Sequence, residues 1–201
     1  MLQLFQMCLV GFQLLPHLKA VRKFIKLERQ EDSTLKRALE KVYLNSELLK
    51  FKGDWLHFGF ATLTTGREMV PEAIGAKMAV SFRGYDINVY PLKHPGCYEL
   101  LWKQVDKVHT ISQYLLRKAW LLGLSKNVPT QIIHPAINLS NLPPRKNQNS
   151  NETIKMITIA RLHWIKGIDY LLEVANCLRK ADFNFEWQII GSGQNAELER
   201  Y

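Results

Sequence analysis

The chain has 201 residues, 47% of them hydrophobic, enough for a buried core in one or two domains. Lysine and arginine total 27 against 18 acidic residues, so the +9 balance favours anionic partners (nucleic acid, a membrane surface, phosphorylated substrates) without choosing among them. Cys8, Cys97 and Cys177 form no C-x-x-C pair and the six histidines are dispersed, which argues against a disulfide framework or a metal cluster.

The first 18 residues, MLQLFQMCLVGFQLLPHL, are apolar, but their flanking charges, Lys19, Arg22, Lys23 and Lys26, follow the apolar run, where a signal peptide carries them before it. Gln3, Gln6, Gln13 and Pro16 interrupt a stretch already short for a membrane span. A core helix is the first reading and a membrane-contacting helix the second. Polar residues from Leu27 to Ser33 predict a break, and Leu35, Leu39, Val42, Tyr43 and Leu49 an amphipathic helix capped by Ser33 or Thr34.

A βα series begins at Asp54. Strands are expected at 55–58, 78–82, 107–111 and 130–133. Helices are expected over 66–74 and 97–104, and from the cap Ser112 to Gly123, with an irregular stretch at 91–96. This alternation predicts a doubly wound parallel sheet over residues 1–140. Residues 141–153, NLPPRKNQNSNET, read as a polar, proline-containing linker. Beyond it, residues 154–201 begin a second α/β domain. Met156, Ile157, Ile159 and Ala160 form a β-branched run expected to be buried on both faces. A helix follows from Ile168 to Ala181, then a strand at 185–190, a Gly191-Ser192-Gly193 turn and a helix-like AELERY. Two strands make a poor independent sheet, so the expectation is a fragment cut within its second domain.

The loop after the first strand of that domain carries Arg161 and Lys166, with Gly167 opening the helix. Two cations beside the N–H groups of a helix N-terminus, at the ligand edge of an α/β sheet, suit a diphosphate. The competing readings are solvated loop charges, and an ordinary tight turn at Gly191-Ser192-Gly193. The run ITIARLHWIKGIDYLLEVANCL…WQIIGSGQNAELER resembles the donor-binding half of family 4 glycosyltransferases, in which a strand ends in G-R-L or A-R-L, followed by K-G, a long helix and a strand ending in G-x-G. Leu56-His57-Phe58-Gly59, the run from Ser81 through Arg83, Gly84 and Asp86, Asp106 to Ser112, and Ile133 to Asn138 resemble landmarks of the acceptor-side domain. The S-F-R-G-Y-D run is most similar to the branch that makes exopolysaccharides such as colanic acid.

The resemblance implies a GT-B fold, two Rossmann-like doubly wound sheets, both incomplete in this chain. It implies a retaining transfer from a nucleotide-diphosphate sugar to a hydroxyl of a glycan or lipid-linked acceptor, at the cytoplasmic side of a membrane with peripheral contact to anionic lipid. Arg161 and Lys166 correspond to the cations that hold the diphosphate leaving group. Gly167, Gly191, Ser192 and Gly193 fall on the donor side, and His57, Arg83, Gly84, Asp86 and Ser112 on the acceptor side. No cofactor or metal is implied beyond the donor substrate, and no nucleic-acid partner.

Two departures stand out. Arg83 occupies a position where many relatives carry histidine, and a guanidinium binds phosphate or hydroxyl but is no base near neutral pH. Its alternative is a salt bridge to Asp86 or another loop acid. The donor-binding E-x7-E run of the family is not found in these 201 residues, so the chain alone is expected to be inactive. His57 and Ser112 also fit as ordinary strand-end and capping residues. The competing functions are a sugar-nucleotide epimerase of the same fold and a non-catalytic basic phosphate-binding fragment. A dinucleotide oxidoreductase is disfavoured because the 191–193 turn lacks the G-x-G-x-x-G spacing and a following acid.

Overall fold

The computed structural model describes residues 9–138, 140 and 153–193. The chain divides into two compact units, Met1–Ile137 and Asn138–Tyr201. The division precedes the expected linker, whose residues 141–152 lie outside the described ones, as do 1–8 and the AELERY segment.

The first unit opens with helices. A short helical stretch leads through a 3-10 turn, Leu15–His17, into α1 (Leu18–Gln30), followed by α2 (Leu35–Leu44) and α3 (Ser46–Leu49). The Thr34 hydroxyl accepts from Arg37 N–H at 3.3 Å and caps α2, which decides between the two caps, Ser33 and Thr34, left open by the sequence. The predicted break is shorter than expected. α1 continues through Leu27 to Gln30 because Glu28 lies one turn beyond Phe24 on the buried face. The turn comes at Asp32, whose φ of 60° ends the helix while Ser33 N–H bonds Glu28 C=O at 3.1 Å.

Four strands follow, β1 (Trp55–Phe58), β2 (Lys77–Phe82), β3 (Lys107–Thr110) and β4 (Thr130–Ile132), all parallel and in sequential order. Between them lie α4 (Val70–Ile74), α5 (Tyr85–Asn88), α6 (Tyr90–Lys93), α7 (Glu99–Gln104) and α8 (Gln113–Leu121). The helix α6 takes in residues 91–93 of the stretch 91–96 that reads in sequence as irregular, and α5 precedes it.

Strand alternation sorts the sheet into two unlike faces. Phe58, Met78, Val80, Phe82 and Val108 point into a core completed by Ile87, Tyr98, Leu101, Leu115, Leu116 and Ala119 from the connecting segments. A second apolar cluster joins Phe24, Val42 and Leu49 of the N-terminal helices to Met69, Val70 and Ala73. The opposite face carries Trp55, His57, Ala79, Ser81, Lys107, His109 and Gln131 and is open. The α/β class and parallel pairing match expectation. The winding does not: the order β1-β2-β3-β4 contains no reversal, so the described connections cover one face.

The second unit is one βαβ crossover: β5 (Ile154–Ile159), α9 (Ile168–Lys180) and β6 (Phe185–Ile190), with the two strands parallel. The expectation that β5 is buried on both faces fails. Met156, Thr158, Phe185 and Trp187 share one face and are half-buried, whereas Ile157, Ile159 and Ile190 on the other are 59%, 75% and 50% exposed. One face of a two-stranded sheet is covered here, and the β-branched run reports strand propensity rather than depth.

Candidate functional site

Each unit presents its strand ends and following loops at one edge. In the second unit Arg161 stands two residues beyond the end of β5, and Leu162 N–H donates to Ser192 C=O at 2.9 Å, so the 160–162 segment and the 191–193 turn run side by side. Trp164–Lys166 then makes a 3-10 turn. Gly167, at φ 66°, closes that turn and starts α9 in a conformation L side chains rarely adopt. Arg161 and Lys166 are both exposed. The structure therefore brings Arg161, Lys166, Gly167, Gly191, Ser192 and Gly193 to one edge, beside the N-terminus of a 13-residue helix.

The glycines of the turn have a reason internal to the fold. A Cβ on Gly191 would stand 1.7 Å from the Ala160 carbonyl oxygen, and one on Gly193 2.5 Å from that of Leu162. The close approach that glycine allows here is to the neighbouring strand end.

In the first unit the loop after β2 is organised by Asp86, which is fully buried. Its carboxylate accepts from Gly84 N–H at 2.9 Å and Arg83 N–H at 3.0 Å, and from Ala61 N–H at 3.2 Å in the loop after β1. The alternative reading of Arg83 as a salt-bridge partner of Asp86 is not met: the backbone amide of Arg83 makes the contact, and its guanidinium lies 5.3 Å from the centre of the Phe60 ring. Asp86 is thus a loop-ordering residue rather than a surface-facing ligand group. Gly84 adopts φ 134°, which suits glycine, and starts α5. Ser112 spends its hydroxyl on capping α8, accepting from Leu115 N–H at 3.3 Å, the ordinary role.

His57 and Arg83 meet on the open face of the sheet, in a groove of about 580 Å³ also lined by Trp55, Ser81, Lys107 and His109. The lining holds two permanent cations and no carboxylate. His57 Nε2 is 2.8 Å from Ser81 Oγ, which is 2.8 Å from His109 Nδ1, and His109 Nε2 faces the Ile133 carbonyl at 3.3 Å. Partial burial first, then the basic neighbours His109 and Arg83, hold His57 below the usual imidazole range. Sequence reasoning missed Ser81 and His109. The signal was there: polar residues at positions of successive strands that share a face in the register Ser81 with His109.

Among the described residues no group of three or more His, Cys, Asp or Glu side chains is placed to hold a metal ion, and no helix is long and apolar enough to cross a membrane. Cys97 is half-buried and Cys177 exposed, neither in a disulfide. No protein-family model and no curated protein matches the chain.

Proposed function

We propose that this chain is a glycosyltransferase of the GT-B type, moving a sugar with retention from a nucleotide-diphosphate donor to a hydroxyl of a glycan or lipid-linked acceptor. The observation that carries the reading is the edge of the second unit, where the loop with Arg161 and Lys166 lies against the Gly191-Ser192-Gly193 turn at the start of α9. As the bond from the anomeric carbon to the donor phosphate loosens, charge builds on the departing diphosphate. Fixed cations and helix N–H groups act most strongly where charge develops. On the acceptor side, Arg83 supplies a cation and His57 a neutral imidazole in a groove without carboxylates, which suits hydroxyl-bearing and phosphorylated ligands. The +9 charge suits work at the anionic cytoplasmic face of a membrane.

Calorimetric titration with UDP, GDP and ADP tests the donor site. Arg161→Ala and Lys166→Ala should each weaken the best of these at least about tenfold. In a transfer assay on a longer parent that also carries the E-x7-E run, each should lower kcat about a hundredfold, the cost of one lost transition-state contact of about 3 kcal/mol. Near-normal binding and turnover in both folded variants would remove these residues from the mechanism. Release of free sugar or an epimerised donor in place of a glycoside would point to the epimerase alternative.

A further inference from the structure

The hydrogen-bond series across the open sheet face has a direction. A neutral imidazole carries one N–H and one lone pair. His109 Nε2 faces a carbonyl oxygen, which only accepts, so that nitrogen carries the proton and His109 Nδ1 is the acceptor. Ser81 Oγ–H must then donate to His109 Nδ1, and its oxygen accepts from His57 Nε2–H. The residue joining the two rings, Ser81, is 1% exposed, so its hydroxyl has no solvent alternative. The three side chains come from three adjacent parallel strands and share one face: Ser81 stands in register with His109, and His57, in register with Ala79, reaches Ser81 one same-face position further along β2.

We infer that Ser81 and His109 are positioning residues that lock His57 in its Nε2–H form and so leave His57 Nδ1 as a proton acceptor beside Arg83, for the hydroxyl of a ligand whose anionic group the guanidinium holds. The charged and titratable groups lining the groove around His57 are Arg83 after β2 and His109 and Lys107 on β3, all basic. A cationic His57 is disfavoured among them, and the lone pair stays available. The identity of that hydroxyl as the sugar acceptor rests on the transferase reading; the locked ring does not.

The test is ¹⁵N NMR of the histidine rings in the 201-residue chain, without any substrate, for the wild type, Ser81→Ala and Ser81→Thr. The expected wild-type result is a single Nε2–H form for His57 and His109, with both ring protons protected from exchange with water. In Ser81→Ala the His57 ring nitrogens should move towards the averaged shifts of a free imidazole, and its Nε2 proton should exchange roughly five- to tenfold faster, the effect of one lost hydrogen bond. Ser81→Thr, which keeps the hydroxyl, should restore the wild-type pattern. A proton on His57 Nδ1 in the wild type, or an unchanged His57 ring in Ser81→Ala, would overturn the inference. A locked ring in a chain whose Arg161 edge binds none of UDP, GDP and ADP would count against the transferase reading alone.

Discussion

At the scale of single residues, Gly191 separates structural need from ligand contact. With the Ala160 carbonyl oxygen 1.7 Å from where its Cβ would be, Gly191→Ala forces the 160–162 and 191–193 segments apart. The expected cost is about 3 kcal/mol, an overpacking against backbone that has no flexible neighbour to yield. Gly59→Ala, whose Cβ meets nothing within 4 Å, should cost under about 0.5 kcal/mol. Urea unfolding of both variants checks the contrast; equal midpoints would show that the strand ends can separate freely. Any loss of activity in Gly191→Ala then reports a displaced turn, and cannot by itself be read as a lost donor contact. The type of residue at this turn was legible in the sequence, but the reason for it was not. A glycine permits close approach without saying what approaches. The same limit applies to Arg83 and Asp86: opposite charges three residues apart suggest an ion pair, whereas the buried carboxylate is used up by backbone N–H groups.

At the scale of elements, strand and helix periods carried most of the architecture, and the misses fall where polarity was read as exposure. Glu28 makes the end of α1 look like a loop, yet it is 1% exposed, bonded to Lys41 Nζ of α2 at 2.6 Å and to Ser33 Oγ at 3.0 Å. A buried ion pair between two helices has no signature in a one-dimensional pattern. Glu68, 5% exposed in the loop before α4, belongs to the same neighbourhood. Burial raises its pKa, and Glu28 adds to that, while its own backbone N–H, Lys41 and the Gly66 N–H pull the other way. For a carboxyl raised above its unfolded value of 4.5, the stabilising contribution is full below that pH and is lost as pH rises through the folded pKa. Glu68→Gln removes the penalty of the charged form. The variant should therefore gain on the wild type between pH 4 and pH 7.5, measured as the difference in urea unfolding free energy at each pH. A variant that loses most at pH 7.5 would instead make Glu68 a stabilising anion paired with Lys41.

At the scale of the whole molecule, the two units differ in how much apolar surface they bury. The first closes two clusters around Met78, Val80, Phe82 and Phe24, each fully buried. Among the described residues of the second, Ile168 is the sole buried hydrophobic, while Ile159, Tyr170, Leu172 and Val174 are 75%, 73%, 46% and 49% exposed. Burial of one such side chain stabilises by about 1.5–3 kcal/mol, against an ordering cost of about 1–2 kcal/mol for every residue fixed. The βαβ unit is consequently the weaker one, and its backbone hydrogen bonds should open without global unfolding. Native-state amide exchange reads this directly. The β5 and β6 amides should exchange from a local opening at least about 3 kcal/mol below that of β2 and β3, with little denaturant dependence where the opening is small. An added ligand that occupies the Arg161 edge should narrow the gap, because whatever binds only the ordered state stabilises it. Exchange of β2, β3, β5 and β6 at one common free energy and one denaturant slope would mean that the chain unfolds as a single cooperative body, with the second unit held by more than its own packing.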